Sequence, residues 1–513
     1  MAEAAVTGPA PAAGGAPAGG APGDADQLRA LGYDSRFERR MGLLENFSLG
    51  FTYLSPVVGV YSTFAIAFVA GGAPMIWSIV IAGVGQLLVS LVFAEIVAQF
   101  PIAGGVYPWT RRLIGRRWAW LTGWIYGWAL VATIAAITTG AAPFIGALFD
   151  FTPTRFTTVL LAGLLLVGTL AVNLSGTKWL GRVAMLGFVA ELVGALFVGG
   201  WLLLFERHHD FGTLFDTLGT QGDGSYLGPF LAASLLGLYL FYGFEACGDV
   251  AEEVPNPGRQ IPKAMRRTIY VGGFAALFVT AALILAQPDF AAILDGSVAD
   301  PISATFASVF GSVGSKVIMV IVVLSFVSCT LSLQAAASRL LYSYARDEMI
   351  VGSSVLSRFS AKRHVPPIAM IVAAALPLVV VAIAQALSEE ALVRVISFAS
   401  CGIYVAFQAV VLAALVARLK GWVPSGAYRL GRWGLAVNLA ALTYGVAGAL
   451  NLAWPRGDAA WYDKYTVIIG CAIVIGLGLA YMVLGRPYGR SDAPAGDAIP
   501  RRAGGEPLAA EQG

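Results

Sequence analysis

Two carboxyl side chains lie inside long apolar stretches, where a charge usually has a chemical purpose. Glu245 belongs to the stretch 237–248, GLYLFYGFEACG, and Glu191 belongs to the stretch 182–205. A charged side chain at the centre of a bilayer costs roughly 2.5–3.5 kcal/mol on insertion scales, so such a residue is a functional candidate by default. We expect Glu245 to be a gating or substrate-facing carboxyl group; the alternative is an acid that caps an interruption of its helix.

Other acids lie near the ends of apolar stretches and are expected to be structural. Glu95 precedes the turn 99–105, QFPIAGG, and is expected to orient it. Asp249, Glu252 and Glu253 come at the end of a stretch and are followed by a basic cluster. We interpret these three acids as a solvated helix end, with an ion network at an inner gate as the alternative.

The composition shows that the elements holding these acids are membrane spans. Of the 513 residues, 58% are hydrophobic and 12% are charged, whereas a soluble protein has about 25% charged residues. A membrane-spanning helix needs about 20 apolar residues, and twelve stretches qualify. We therefore predict an all-α integral membrane protein with 12 transmembrane helices, in contact with the lipid bilayer and not with nucleic acid. The predicted spans are 45–70, 75–100, 119–147, 156–174, 182–205, 227–250, 268–287, 316–340, 367–387, 392–417, 433–454 and 464–485.

The basic residues divide unequally between the two sides of such a bundle. If both ends of the chain lie on one side, that side receives 27 of the 33 Lys and Arg residues and the other side receives 6. Basic residues concentrate in cytoplasmic loops, so we predict a multi-pass protein of the cell membrane with both termini in the cytoplasm. The Ala/Gly/Pro-rich start and the polar end predict disordered tails at 1–40 and 486–513.

Two of the predicted spans contain residues that interrupt a helix. Pro56 lies in span one and disfavours helical geometry at Ser55, so the sequence predicts either a break over Ser55 to Gly59 or a simple kink. Span six has its own disruption around Gly243. The two spans run in opposite directions, a pattern typical of an inverted repeat of five plus five helices. The predicted core is 41–417, with repeats at 41–205 and 227–417, and spans eleven and twelve follow at 433–485.

Interrupted helices at membrane depth offer binding groups of both signs. Half-helix N-termini attract a carboxylate, and half-helix C-termini attract a cation. A zwitterion needs both, so an amino acid is the ligand that suits this geometry best. Phe241, Tyr242 and Phe244 would close over it, with ordinary aromatic packing as the alternative. Because few acids besides Glu245 are placed to meet a second cationic group, a neutral amino acid is favoured over a polyamine.

Four segments resemble amino acid permeases of the amino acid–polyamine–organocation superfamily, which have a LeuT-like fold. The segment 243–265, GFEACGDVAEEVPNPGRQIPKAM, resembles the span-six signature of that family, and 94–124 resembles its passage from span two into span three. The segment 46–62, NFSLGFTYLSPVVGVYS, is similar to the branch that contains GABA and choline permeases. Gly176-Thr-Lys resembles the start of span five.

The resemblance implies a secondary active transporter that moves an amino acid or related amine by alternating access, and not an enzyme. A proton is the expected coupling ion, with sodium coupling or exchange as alternatives; no cofactor or metal is expected. Glu191 resembles the position where several family members place a lysine that stands in for sodium between spans one, five and eight. With the charge reversed, Glu191 can take a proton, help Ser328 and Ser332 to hold a cation, or only pair with a hydroxyl group.

The resemblance also assigns the remaining site residues. In the family the interrupted part of span one contacts the backbone of the substrate, although this chain has Val57 and Val58 where many members have glycines. The expected substrate-binding residues are Ser55, Pro56, Val57, Val58, Gly59, Phe241, Tyr242, Gly243, Phe244 and Glu245. The expected coupling or gating residues are Glu191, Glu245, Ser328 and Ser332.

Three other classes of membrane protein fit the sequence less well. A sensor that binds an amino acid without transporting it would be expected to carry a folded signalling domain, and both tails are short and of disordered composition. An intramembrane enzyme would need a nucleophile–base pair or metal ligands in the spans, and a channel would need a selectivity-filter repeat. Neither pattern is visible in the sequence. The sequence does not determine the substrate or the oligomeric state.

Overall fold

The chain is a bundle of helices in this computed structural model, which describes residues 23–222, 224–387, 391–456 and 461–500. Eleven helices in these ranges are long and apolar enough to cross a membrane. Span six is the twelfth and consists of short pieces. The predicted all-α class is confirmed, and the predicted number of spans agrees closely.

The spans are numbered in chain order. One is Leu43–Leu54 with Pro56–Gly71, two is Trp77–Gln99, three is Arg116–Phe149, four is Arg155–Leu174, five is Thr177–Phe205, six is Leu227–Ala233 with Leu235–Leu240 and Ala246–Asp249, seven is Pro257–Leu285, eight is Pro301–Arg346, nine is Pro367–Leu387, ten is Ala391–Leu419, eleven is Gly434–Ala453 and twelve is Thr466–Gly485. Among the described residues, five shorter α-helices outside the spans are Asp24–Ala30, Val106–Ile114, Phe290–Leu294, Ser353–Leu356 and Trp461–Lys464.

Spans seven and eight begin earlier than the sequence predicts. Span seven begins at Pro257 rather than at residue 268, and span eight begins at Pro301 rather than at residue 316. Hydropathy overlooks residues 257–267 because they are largely polar, whereas residues 301–315 are mostly apolar or small. Proline is well suited to the first position of a helix, since the N–H that it lacks would have no partner there. Span eight also bends at Gly311, which has a φ of 66°.

Span one is broken rather than kinked. Ser55 has φ 43° and ψ 89°, which is left-handed geometry, and helix Leu43–Leu54 ends there. A second helix begins at Pro56, and Ser55 Oγ accepts a hydrogen bond from the Val58 N–H. The ring of Pro56 disfavours helical geometry at the residue before it, while its fixed φ suits the start of a new helix.

Span six is broken at the same level. Helix Leu235–Leu240 ends, and the chain resumes as the short turn Ala246–Asp249. Gly243 has a φ of 120°, which L side chains rarely adopt, and a Cβ there would lie 2.6 Å from the backbone nitrogen of Leu54. Glycine is required because the two interruptions touch through their backbones. The predicted pair of broken helices, one and six, is confirmed.

Both ends of the described chain fold against one end of the bundle. We call this the basic end; it consists of residues 23–41, 100–115, 250–256, 346–366 and 486–500. The structure differs here from the predicted disordered tails. Helix Asp24–Ala30 buries Leu28, and Tyr33 and Phe37 are also buried. These three apolar residues lie soon after the low-complexity start. They indicate a folded segment, which the overall composition of residues 1–40 does not show.

The segment after span twelve also folds back onto the basic end. The Gly496 N–H donates to the carbonyl of Arg111 at 2.8 Å, and the Ala498 N–H donates to the carbonyl of Arg112 at 3.1 Å. Residues 486–500 therefore differ from the predicted disordered tail. The rest of the two predicted tails, 1–22 and 501–513, lies outside the described residues.

Candidate functional site

The interruption in span one is held by Glu191 of span five. Ser55 Oγ donates to Glu191 Oε1 at 2.7 Å, and the Val57 N–H donates to the same oxygen at 2.9 Å. Ser55 Oγ accepts from the Val58 N–H at 3.2 Å. Glu191 is fully buried. A carboxylate suits this place because the N-terminus of helix Pro56–Gly71 carries partial positive charge.

The two serines predicted beside Glu191 make other hydrogen bonds. Ser332 Oγ lies 2.8 Å from Thr52 Oγ1, and Ser328 Oγ donates to a carbonyl of its own helix at 3.1 Å. A Cβ at Gly187 would lie 2.3 Å from the Ser328 Cβ, so spans five and eight meet closely. Glu191 Oε2 has no hydrogen-bond partner among the described residues. The structure brings the three side chains to neighbouring turns of span one without a hydrogen bond between Glu191 and either serine.

Glu245 closes the interruption in span six. Its Oε2 accepts from the Gly243 N–H at 2.7 Å, and its Oε1 accepts from the Tyr126 hydroxyl at 3.3 Å. The same hydroxyl lies 3.1 Å from Oδ2 of Asp249. Since one hydroxyl has one proton, Tyr126 serves two buried carboxylates with a single donor. Glu245 is thus the capping acid of the sequence alternative and also half of a buried acid pair.

The sequence-based prediction is wrong for Asp249, the other acid of that pair. Predicted at a solvated helix end, Asp249 is 0% exposed, and its Oδ1 has no hydrogen-bond partner among the described residues. A Cβ at Gly105 would lie 2.3 Å from that oxygen. A usable signal was present: Asp249 comes four residues after Glu245, a spacing that puts two side chains on one side of a helical turn.

The aromatic residues of the span-six interruption have different surroundings. The Tyr242 hydroxyl lies 3.4 Å from Ser400 Oγ of span ten. The ring centroids of Phe244 and Phe407 are 5.6 Å apart, and the ring of Phe241 lies against span seven. Phe241 and Phe244 therefore pack between spans, while Tyr242 supplies a polar hydroxyl group within the span-six interruption.

The two acids that follow Asp249 form ion pairs with span eight. Glu252 lies 2.9 Å from an Arg346 nitrogen, and Glu253 lies 2.8 Å from an Arg339 nitrogen. Both Glu253 and Arg339 are 0% exposed. The interpretation of these acids as a solvated helix end is wrong, and the alternative ion network is present. Their partners lie far away in the sequence, so the basic cluster that follows these acids does not indicate which residues they pair with.

A second buried network at the basic end has no counterpart in the sequence prediction. Arg111 of helix Val106–Ile114 forms an ion pair with Asp347, and neither side chain is exposed by more than 1%. The hydroxyls of Tyr33 and Tyr107 each donate to Asp347 at 2.9 Å. The network joins residues from the N-terminal segment, the connection between spans two and three, and the end of span eight.

Glu95 has a different partner from the predicted one. Its carboxylate forms an ion pair with Arg418 of span ten and accepts from the Leu430 N–H at 2.8 Å. It therefore ties span two to the connection between spans ten and eleven, and no hydrogen bond to the turn 99–105 is among those the structure shows for it.

The chemistry available at the two interruptions is that of carboxylates and backbone groups. Glu191, Glu245 and Asp249 are buried within or against broken helices. Within the described ranges, no group of three or more His, Cys, Asp or Glu side chains is placed to hold a metal ion. Such a site can attract a cation or a proton and can hydrogen-bond a small polar ligand, but the residues described there form no nucleophile–base arrangement.

Comparison with known proteins identifies the family of this chain. Residues 44–477 match the family model for amino acid permeases. An amino-acid permease BAT1 homolog of rice (Oryza sativa subsp. japonica) is 28% identical over 464 residues, covering 85% of this chain and 88% of the relative. Amino-acid permease BAT1 of Arabidopsis thaliana is 24% identical over 464 residues, covering 84% and 89%.

A solved structure shares the fold at low sequence identity. The crystal structure of a histidine-to-alanine mutant of the manganese transporter of Eremococcus coleocola superposes with a TM-score of 0.58 at 14% identity, covering 92% of this chain and 97% of that one. That likeness supports the predicted LeuT-like architecture and says nothing about the cargo. With the family model matched over most of its length, the chain belongs to the amino acid permeases of the amino acid–polyamine–organocation superfamily, as a multi-pass membrane transport protein and not an enzyme.

Proposed function

We propose that this chain is a secondary active transporter that moves an amino acid or related amine across the cell membrane by alternating access. The observation that best supports this proposal is the contact between two interrupted helices. Gly243 lies against Leu54, and a carboxylate caps each interruption. Unwound backbone at membrane depth is tolerated only where it is buried in protein or lines a cavity. We assign substrate binding to the two interruptions, Ser55 to Gly59 and Phe241 to Glu245.

We assign coupling to Glu191 and name the proton as the coupling ion. Glu191 holds the span-one interruption through two hydrogen bonds to one oxygen, and its other oxygen has no partner among the described residues. A proton on this carboxylate weakens its attraction for the Val57 N–H, so protonation and the shape of the interruption are linked. Sodium held with Ser328 and Ser332 near Glu191, or exchange of two substrates, are the alternatives.

The cellular orientation is also part of the proposal. The basic end carries both described chain ends, and the side of the bundle that holds the chain ends is assigned 27 of the 33 Lys and Arg residues by the sequence; such a side faces the cytoplasm. The ion pairs of Glu252, Glu253 and Asp347 then lie at the cytoplasmic side of the bundle. We propose that they close this side when the transporter faces outward.

Uptake into proteoliposomes tests transport and coupling together. Labelled amino acids and amines are presented with an imposed proton gradient, an imposed sodium gradient or no gradient. We expect proton-driven uptake of at least one compound, which Glu191→Gln uncouples while leaving exchange without a gradient. Glu206→Gln, at the outer end of the same span, is the matched control and should retain coupling.

The possible outcomes separate the candidate functions. If no compound is taken up or exchanged, the transporter proposal fails, and binding without uptake would favour a sensor. Gradient dependence unchanged in Glu191→Gln removes this residue from coupling. Uptake that follows the sodium gradient replaces the proton with sodium.

A further inference from the structure

An apolar groove lies on the outside of the bundle between spans three, eight and nine, next to the basic end. Spans three and eight meet closely at one wall, where a Cβ at Gly123 would collide with the side chain of Tyr344. Trp128, Leu341 and Val372 line the groove and are each half-buried, so it opens to the surroundings of the bundle. The space between its walls is about 770 Å³, and no described residue of either interruption lines it.

The groove suits hydrocarbon better than water. Among the described residues that line it, none is charged. Two polar groups on its walls already have partners, because the Trp124 indole N–H donates to the carbonyl of Val474 at 2.9 Å and the Tyr344 hydroxyl donates to the carbonyl of Trp120. Apolar cavities stay dry, and an empty space leaves the side chains around it without dispersion contacts. Spans three, eight and nine are long and apolar enough to cross the membrane, so an acyl chain of the bilayer is the occupant at hand.

A polar cavity of about 720 Å³ continues from the groove at Ile350, a residue that lines both. The end of span eight, helix Ser353–Leu356 and the chain after span twelve enclose this cavity. Arg490 lines it and has one hydrogen bond, from Nη2 to the carbonyl of Gly485 at 3.4 Å. Three hydroxyl groups also lie on its wall, those of Ser353, Ser354 and Ser357.

The charges at the polar cavity favour an anion. Its wall also contains Arg346, which is paired with Glu252, and the exposed acid Glu348. Arg358 directly follows the last of the three serines and is exposed. Neither Arg358 nor Arg490 forms an ion pair within the described ranges of the chain. Two unpaired cations are therefore set against one unpaired acid at the mouth of an apolar groove.

We propose that the groove and the polar cavity together bind one anionic phospholipid of the bilayer. An acyl chain fills the groove, and the phosphate lies in the polar cavity, where Arg490 and the serine hydroxyls donate to its oxygens. Basic pockets between membrane helices bind the head groups of anionic lipids. A free phosphate would leave the groove empty, and a zwitterionic lipid would bring a further cation beside Arg490 and Arg358. The inference requires only that the chain spans a membrane, and it does not depend on the cargo or on transport.

The lipid that the purified full-length protein retains tests this site. The protein is placed in nanodiscs of phosphatidylcholine that contain a minor fraction of phosphatidylglycerol with the same acyl chains. After release from the nanodisc, the lipid that stays bound is identified by native mass spectrometry. We expect phosphatidylglycerol to be enriched about fivefold over the nanodisc composition, the effect of one basic residue near an anionic head group. Retention of the two lipids in proportion to the composition overturns the proposal, and this result needs no variant.

Variants then locate the head group. Arg490→Gln should abolish the enrichment of phosphatidylglycerol, because it removes the cation from the polar cavity. Arg432→Gln is the matched control; it removes an exposed cation from the connection between spans ten and eleven and should keep the enrichment. Enrichment unchanged in Arg490→Gln, or lost equally in both variants, overturns the position of the phosphate.

A second pair of variants locates the acyl chain. Val372→Phe places a larger side chain in the groove, so the protein should lose the retained lipid. Ile371→Phe makes the same change at the exposed neighbouring residue and should retain it. A lipid retained equally by both variants overturns the role of the groove.

An excess of inorganic phosphate distinguishes a lipid site from a site for any phosphate. We expect phosphatidylglycerol to stay bound, because inorganic phosphate cannot fill the groove, and displacement of the lipid overturns the proposal. None of these measurements requires uptake. Failure of the lipid site therefore leaves the proposed transport function intact, and absence of uptake leaves the lipid site intact.

Discussion

The carboxyl side chains at the two interruptions each have more than one role. Glu245 caps the backbone of Gly243, and it shares the Tyr126 hydroxyl with Asp249. Glu191 caps a second helix and keeps one oxygen without a partner among the described residues. Each carboxylate is therefore both a structural cap and a charge available to a ligand, so the functional and structural readings of Glu245 in the sequence are not exclusive.

Tyr126→Phe tests the shared donor. Removing the hydroxyl leaves two buried carboxylates without it, at roughly 1–3 kcal/mol for each buried acceptor that loses its partner. We expect a fall in uptake rate of about tenfold and a lower melting temperature, because the ring remains but two buried acceptors lose their donor. Tyr270→Phe makes the same change at an exposed ring and should behave like the wild type. A Tyr126→Phe protein with normal uptake would show that the hydroxyl is not needed.

At the scale of elements, the break in span one was predictable, and the partners of the acids were not. Pro56 and Gly243 act on their own backbones, so the sequence reports their effect directly. The ion pairs of Glu253 with Arg339 and of Glu95 with Arg418 join residues from different spans. Hydropathy and local spacing do not indicate which spans are neighbours. For this reason the sequence predicts a solvated Asp249, whereas the structure buries it beside Glu245.

Gly243→Ala tests the contact between the two interruptions. The added Cβ would lie 2.6 Å from the Leu54 nitrogen, and the φ of 120° is unfavourable for alanine. We expect loss of uptake together with a lower yield of monodisperse protein. Gly228→Ala is the matched control, because nothing lies within 4 Å of its Cβ position. Normal transport by Gly243→Ala would contradict a close approach at this point.

The Glu253–Arg339 pair should contribute to the stability of the bundle. Removing one member of a buried pair leaves an uncompensated charge and costs about 3–5 kcal/mol. We expect Glu253→Gln to lower the melting temperature in detergent clearly. The double variant Glu253→Gln with Arg339→Gln should recover part of the loss, since no lone charge remains. Additive losses in the double variant would mean that the two side chains are not coupled.

For the whole molecule, the composition and the loop charges determine the class and the number of spans, because a bilayer admits few architectures. They do not determine how the chain ends fold. Helix Asp24–Ala30 and residues 486–500 bind the rest of the basic end through main-chain groups and a few side chains. Neither segment has the length or apolar content of a span, so a composition-based division assigns both to disordered tails.

Removing residues 486–513 should loosen the basic end. The deletion removes the carbonyl that accepts from Arg116 and the Asp497 carboxylate that pairs with Arg112. We expect faster amide hydrogen exchange in helix Val106–Ile114, while helix Phe290–Leu294 in an outer connection exchanges as before. Removal of residues 501–513 alone retains these contacts and is the control. Equal exchange in both truncated proteins would show that the 486–500 segment does not stabilise the basic end.

The two main-chain hydrogen bonds from Gly496 and Ala498 to helix Val106–Ile114 also set an order of events during biosynthesis. The helix leaves the ribosome early, and its partner segment leaves after the last span. The basic end must therefore stay incomplete while all the intervening spans enter the membrane. Because main-chain groups make these two bonds, most substitutions in the late segment preserve them, whereas a translation stop before residue 496 prevents them from forming.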